Sequence, residues 1–159
     1  MYELVKKLLS PSTSIISELP KNSKKPISKD GFYCWKKGEK LELSAHFTTD
    51  EFSCKCSFPD CIDQKIHIDI IENLENIRTD AKQPIYVTSA FRCSKHQAYL
   101  RSAGLKTAEN KSQHELGQAV DIVPKDHKNI RTKFLDICAK YFEAIGLSDN
   151  FLHLDRHVS

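Results

Sequence analysis

Residues 112–124 read S-Q-H-E-L-G-Q-A-V-D-I-V-P, and residues 151–155 read F-L-H-L-D. Gln118–Val123 is rich in β-branched residues and is ended by Pro124, which predicts a short buried strand. Phe151–Asp155 alternates apolar and polar positions with period two, which predicts another. Alternate side chains of paired strands share a face, so Asp121 and His153 can point the same way. Gly117 permits a tight turn with positive φ, which would fold His114 back over the strand. Ala119, two residues before Asp121, shares its face and leaves room there. The fold expected around these strands is a small α+β domain, an antiparallel sheet flanked by helices.

Two imidazoles and one carboxylate on one face are a donor set for a catalytic metal. Zinc takes His nitrogen and carboxylate oxygen at roughly 2.0–2.2 Å, with three protein ligands and a fourth position for water. His114, Asp121 and His153 supply that count. His114-Glu115 does not open the helical H-E-x-x-H motif, because position 118 is Gln. The weight therefore rests on the joint pattern of Ser112, His114, Gly117, Ala119, Asp121 and His153.

S-x-H-x-x-G-x-A-x-D followed by a late H-x-D resembles the D-alanyl-D-alanine carboxypeptidase branch of the LAS-type zinc metallopeptidases, a group that includes lysostaphin-like enzymes and the hedgehog signalling domain. The resemblance runs from about Phe47 to Asp155. It takes in H-F-T-T-D-E-F-S-C-K-C at 46–56 and V-T-S-A-F-R-C at 87–93. It implies that His114, Asp121 and His153 bind one catalytic zinc and that Arg92 contacts substrate. It also implies a substrate among the peptides of bacterial peptidoglycan, cut by a carboxypeptidase or an endopeptidase. Many relatives are bacteriophage products, so a phage endolysin or virion-associated enzyme of cell wall degradation is expected.

Zinc held by two neutral His and one carboxylate keeps a positive charge, lowers the pKa of water to about 7 and polarises a carbonyl. Arg92 would serve as a second electrophile or as a clamp for a substrate carboxylate. Ser112 either hydrogen-bonds the site or ends a turn. A general base must carry the proton to the leaving amine. Several relatives place Glu or Asp three residues before the last His, where this chain has Asn150. Asp155, on the face of His153, is the first candidate for base or for orienting His153. Asp149 is the second and Glu115 the third. Without a base the chain would be a zinc-stabilised binding or structural virion module that hydrolyses nothing.

The six cysteines pose a separate question. Cys54, Cys56 and Cys61 lie close together, and Cys93 precedes His96. A second, structural zinc with Cys93 or His96 as fourth ligand, disulfides in an oxidising compartment, and free thiols in a small core all fit. C-x-C is not the usual C-x-x-C knuckle. Cys138 lies on an apolar helix face and reads as packing, and Cys34 has no evident role. The histidines at 46, 67, 127 and 157 read as surface or capping groups.

At 159 residues and 40% hydrophobic, the chain has room for one compact domain. The expected division is a basic extension and linker at 1–45 and the zinc peptidase domain at 46–159. Residues 1–45 hold nine Lys and five acidic residues, so the basic excess of the chain lies there. Such an arm is solvated or meets anionic wall polymers. No nucleic-acid motif accompanies it. The first ten residues lack the apolar core of an export signal, and no run reaches membrane-spanning length. The expectation is therefore a monomer made in the cytoplasm that reaches the wall through a phage pore or within a virion.

Along the chain, residues 2–9 predict an amphipathic helix and 10–30 a linker. Residues 32–43 predict a strand or hairpin that docks through Trp35. Thr48 or Thr49 would cap a helical turn, and 67–81 carries Ile70, Ile71, Leu74 and Ile77 at helical spacing. A strand follows at 84–91, a helix at 94–103 closed by Gly104, and a polar loop at 105–111. The longest helix is expected at 126–145, with Gly146 after its end.

Overall fold

The computed structural model describes residues 25–105 and 112–156. The helix expected at 2–9, most of the loop at 105–111 and His157 lie outside the described residues. The fold is α+β, and the described residues form two antiparallel sheets and four α-helices.

The first sheet has the order β1-β2-β3, with β1 at Ile27–Lys29, β2 at Phe32–Lys36 and β3 at Asp63–His67. Asp30 and Gly31 join β1 to β2, both at positive φ (52° and 84°), the conformation an Asp-Gly hairpin turn requires. β1 falls in the stretch expected to be linker. Its three residues are all exposed, so no alternation marks it. Residues 32–43 dock as expected: Trp35 and Leu43 are buried, and Trp35 Nε1 donates to Ser53 Oγ at 2.8 Å.

The second sheet has the order β4-β5-β7-β6, with β4 at Ile85–Ser89, β5 at Ala119–Pro124, β6 at Ala144–Leu147 and β7 at Leu152–Asp155. Its faces divide cleanly. Val120 stands opposite Leu154, which faces Ile145, and Ile122 stands opposite Leu152, so these residues join the core. The other face carries Asp121, His153 and Gly146 in one row and Ala119, Asp155 and Ala144 in the next.

The helices are α1 at Thr49–Phe52, α2 at Ile68–Ala81, α3 at Ser94–Ser102 and α4 at Lys133–Ala139. In the Thr48 cap of α1, the Glu51 carboxylate accepts the Thr48 N–H at 2.8 Å. α2 buries Ile70, Ile71, Leu74 and Ile77, one stripe of a 3.6-residue period. Each such side chain contributes about 1.5–3 kcal/mol on burial.

The single helix expected at 126–145 does not form. A 3₁₀ turn spans His127–Asn129, α4 covers Lys133–Ala139, and Ala144–Leu147 is strand β6. Ile130, Phe134 and Cys138 keep helical spacing and are buried. The Tyr141 and Phe142 N–H groups then both bond to the Cys138 carbonyl, and the chain turns into the sheet. Continuing the helix would leave β7 as an unpaired edge beside the core. Among the described residues no helix is long and apolar enough to cross a membrane.

Candidate metal centre

Strand pairing sets the site. Asp121 on β5 lies opposite His153 on β7, and both project from the face away from the core. His114 arrives from the turn before β5, where the Glu115 and Leu116 N–H groups bond to the Ser112 carbonyl and the Gly117 N–H to that of His114. Gly117 has φ +67°, and a Cβ there would stand 3.0 Å from the Lys65 carbonyl oxygen, so the turn requires glycine. Gly146, opposite His153, keeps the far side of that imidazole clear; a Cβ there would meet His153 Cβ at 3.2 Å.

The donor atoms of His114, Asp121 and His153 all lie within 4.8 Å of one another. His153 Nδ1 is 2.8 Å and His114 Nε2 3.3 Å from Asp121 Oδ1, and the two ring nitrogens are 3.2 Å apart. The donors of a tetrahedral zinc, bonded at about 2.0–2.1 Å, stand roughly 3.3 Å from each other. The outer ring nitrogens fix the tautomers. His114 Nδ1 donates to the Ala90 carbonyl at 2.6 Å, and His153 Nε2 donates to Asp155 Oδ2 at 3.1 Å. With these tautomers two lone pairs and an anionic oxygen face one another, an arrangement suited to a cation between them. The residues therefore fit zinc.

His114 and Asp121 are 3% and 4% exposed, while His153 is the solvent-facing member. Burial alone would push the Asp121 carboxyl up, but the His114 and His153 imidazoles beside it outweigh burial and hold it at about 2. Burial pulls the His153 imidazole down, while Asp121 and Asp155 pull it further up, and its pKa is raised on balance. Asp121 is anionic at any physiological pH, as a ligand must be.

Of the other expected site residues, Arg92 is at the centre. Its Nη2 reaches Asp121 Oδ2 at 3.2 Å, its Nε donates to Ser89 Oγ at 3.0 Å and its Nη1 to Gln97 Oε1 at 3.4 Å. Ser112 is buried in the turn, where its Oγ accepts the His114 N–H at 3.3 Å. Asp155 touches the site through His153. Asp149 does not join it: the side chain is 96% exposed and paired with Arg131. Glu115 lines a separate cleft of about 910 Å³ with Trp35, Leu41 and Phe91, to which none of the three donors belongs.

Sequence reading missed Ser89 and the Ala90 carbonyl. A register shift between Val87 and Ser89 places Ser89, not Thr88, opposite Asp121. Such bulges re-aim side chains beside sites, and nothing in V-T-S-A marks one. Gln97, fully buried, was legible only as a polar residue on a helix.

None of the six cysteines is joined in a disulfide, and the sulfurs of Cys54, Cys56, Cys61 and Cys93 gather in a second group. Cys138 packs in the core.

The family model described as peptidase M15 matches residues 45–155. No curated protein and no solved structure gives a significant match. The matched span takes in both strands and the turn that bring the three donors together, and on that match the chain belongs to the M15 family of zinc peptidases.

Proposed function

We propose that the chain is a zinc-dependent peptidoglycan hydrolase, cutting a D-Ala-type stem or cross-link peptide as a carboxypeptidase or an endopeptidase. Its place is a phage lysis system or a virion, acting as a monomer on the wall. The observation that carries the reading is the convergence of His114 Nε2, His153 Nδ1 and Asp121 Oδ1, with a guanidinium beside them. When bound, zinc supplies Lewis acidity toward water and the scissile carbonyl.

The chain's own groups do the rest. Ala90 and Asp155 hold the two imidazoles in the tautomers that present a lone pair to the centre. Arg92, braced by Ser89 and Gln97, keeps Asp121 in place and turns a cationic edge toward the substrate. A D-alanine carboxylate or a developing oxyanion is the anion such an edge holds.

One observation favours a second reading, a non-catalytic zinc-stabilised module. Asn150 stands three residues before His153, where the family resemblance leads one to expect a carboxylate in several relatives, and Asp149 points to solvent.

The experiment is digestion of purified bacterial peptidoglycan, followed by new amino groups and the masses of released fragments. Zinc-loaded protein is expected to release fragments, and both a chelator and His153→Ala to abolish release. Folded, zinc-loaded protein that frees no amino group from walls of differing cross-link would overturn the hydrolase and leave the binding module.

A further inference from the structure

The four gathered cysteines come from two places: the loop after α1 and the residue that caps α3. All four sulfurs lie within 4.8 Å of one another. Cys93 Sγ is 3.8 Å from Cys54 Sγ and 3.7 Å from Cys56 Sγ. A disulfide brings sulfurs to about 2.05 Å. Four sulfurs placed tetrahedrally around zinc, each at about 2.3 Å, stand roughly 3.8 Å apart. The observed spacing is that of sulfurs sharing an ion.

A second feature points the same way. Every one of the four sulfurs receives an N–H, each at 3.4 Å: Cys54 from the Cys93 amide, Cys93 from the His96 amide, Cys56 from Lys37 Nζ and Cys61 from Gln64 Nε2. Thiols in an apolar core need no such set. Four thiolates around a divalent cation carry net negative charge, and surrounding donors stabilise it. His96 Nδ1, 3.3 Å from Cys54 Sγ, adds to these contacts and leaves the ligand count to the cysteines.

We infer that Cys54, Cys56, Cys61 and Cys93 bind a second zinc ion, one with a structural role because four protein ligands leave no open position. The assignment does not depend on the peptidase reading. Its consequence for the first site does. Cys93 follows Arg92, which holds Asp121, and lies three residues after Ala90, whose carbonyl holds His114. An ion at the cysteines therefore fastens the segment that orients two of the three first-site donors.

The test is metal analysis of the full chain, expressed with zinc and purified under reducing conditions. Two zinc ions per chain are expected for the wild type and one for His153→Ala. The His153→Ala protein reloaded with cobalt(II) is expected to show the intense near-ultraviolet thiolate-to-cobalt charge-transfer band. The band should vanish in a Cys56→Ser/Cys61→Ser variant carrying the same His153→Ala change. The double cysteine variant alone is expected to bind first-site zinc at least tenfold more weakly. The wild-type stoichiometry and the cobalt spectrum stand even if the cysteine variant fails to fold. A folded His153→Ala chain with no zinc, with four thiols open to titration, with disulfides by mass, or with iron in place of zinc would overturn the site. Unchanged first-site affinity in a folded cysteine variant would overturn the coupling.

Discussion

Gly117 turns the chain so that His114 reaches the Asp121–His153 pair of the candidate metal centre, and it does so at φ +67° against the Lys65 backbone. An L side chain in this region costs roughly 1–2 kcal/mol, and a backbone oxygen 3.0 Å from the new Cβ cannot swing aside. Gly117→Ala is therefore expected to lower stability by about 2 kcal/mol or more, read as a fall in the urea midpoint, and to weaken zinc binding. Wild-type stability would show that the turn has an alternative. Asp155 makes the converse case. Its Oδ2 orients His153, while its Oδ1 is buried and lacks a hydrogen-bond partner among the described residues. An unpartnered buried carboxylate oxygen weakens a fold, whereas the residue behind a metal-bound His is worth 10–100-fold in affinity. Asp155→Ala should leave the metal-free fold at least as stable and weaken zinc at the His site by about tenfold or more, measured by competition with a chromophoric chelator. A loss of stability with unchanged affinity would reassign Asp155 to the fold.

At the scale of the element, α2 begins on a histidine. His67 Nδ1 accepts the Asp69 N–H at 3.1 Å, and a protonated ring cannot accept there. Burial lowers the His67 pKa, Arg156 lowers it further, and nearby Asp69 opposes both. The folded state thus favours the neutral ring more than the unfolded chain does. The resulting stability is complete above the unfolded value of about 6.5 and is lost as pH falls through the lower folded value. Urea midpoints should fall on acidification below about pH 6.5, and His67→Asn, which keeps a capping acceptor, should flatten that fall. An identical profile in the variant would place the dependence elsewhere, with His96, whose pKa burial also lowers, next in line. Elements with internal periodicity were readable in this way from sequence. α2 shows its stripe, β5 its β-branched run closed by Pro124, and β7 the alternation that puts His153 on the face of Asp121. β1 and β6 were not readable. β1 has no buried residue, and β6 continues a helical apolar pattern until Gly146, where pairing with β7 overrides propensity. Ser89 was hidden for a related reason: a bulge is a relation between two strands, absent from either alone.

At the scale of the molecule, both donor clusters tie together segments distant in sequence. The His–Asp–His group links the turn before β5 to two central strands, and the cysteines link the loop after α1 to the start of α3. Those ties do not exist in the unfolded chain, so metal affinity becomes folding stability. An ion that binds only the native state at a thousandfold excess over its dissociation constant stabilises by about 4 kcal/mol. For a chain of this length each kcal/mol moves the melting temperature by roughly 2–4 °C. Chelation should therefore lower the melting temperature by roughly 8–16 °C for one such ion, read by circular dichroism with and without chelator, and zinc should restore it. Comparison of variants apportions the loss. His153→Ala should keep the part of the chelator effect that belongs to the cysteines, and Cys56→Ser/Cys61→Ser the part that belongs to His114, Asp121 and His153. A wild-type melt that chelator leaves unmoved, in protein shown to have lost its metal, would mean that these segments are held by the apolar core alone and that the clusters add nothing to the fold.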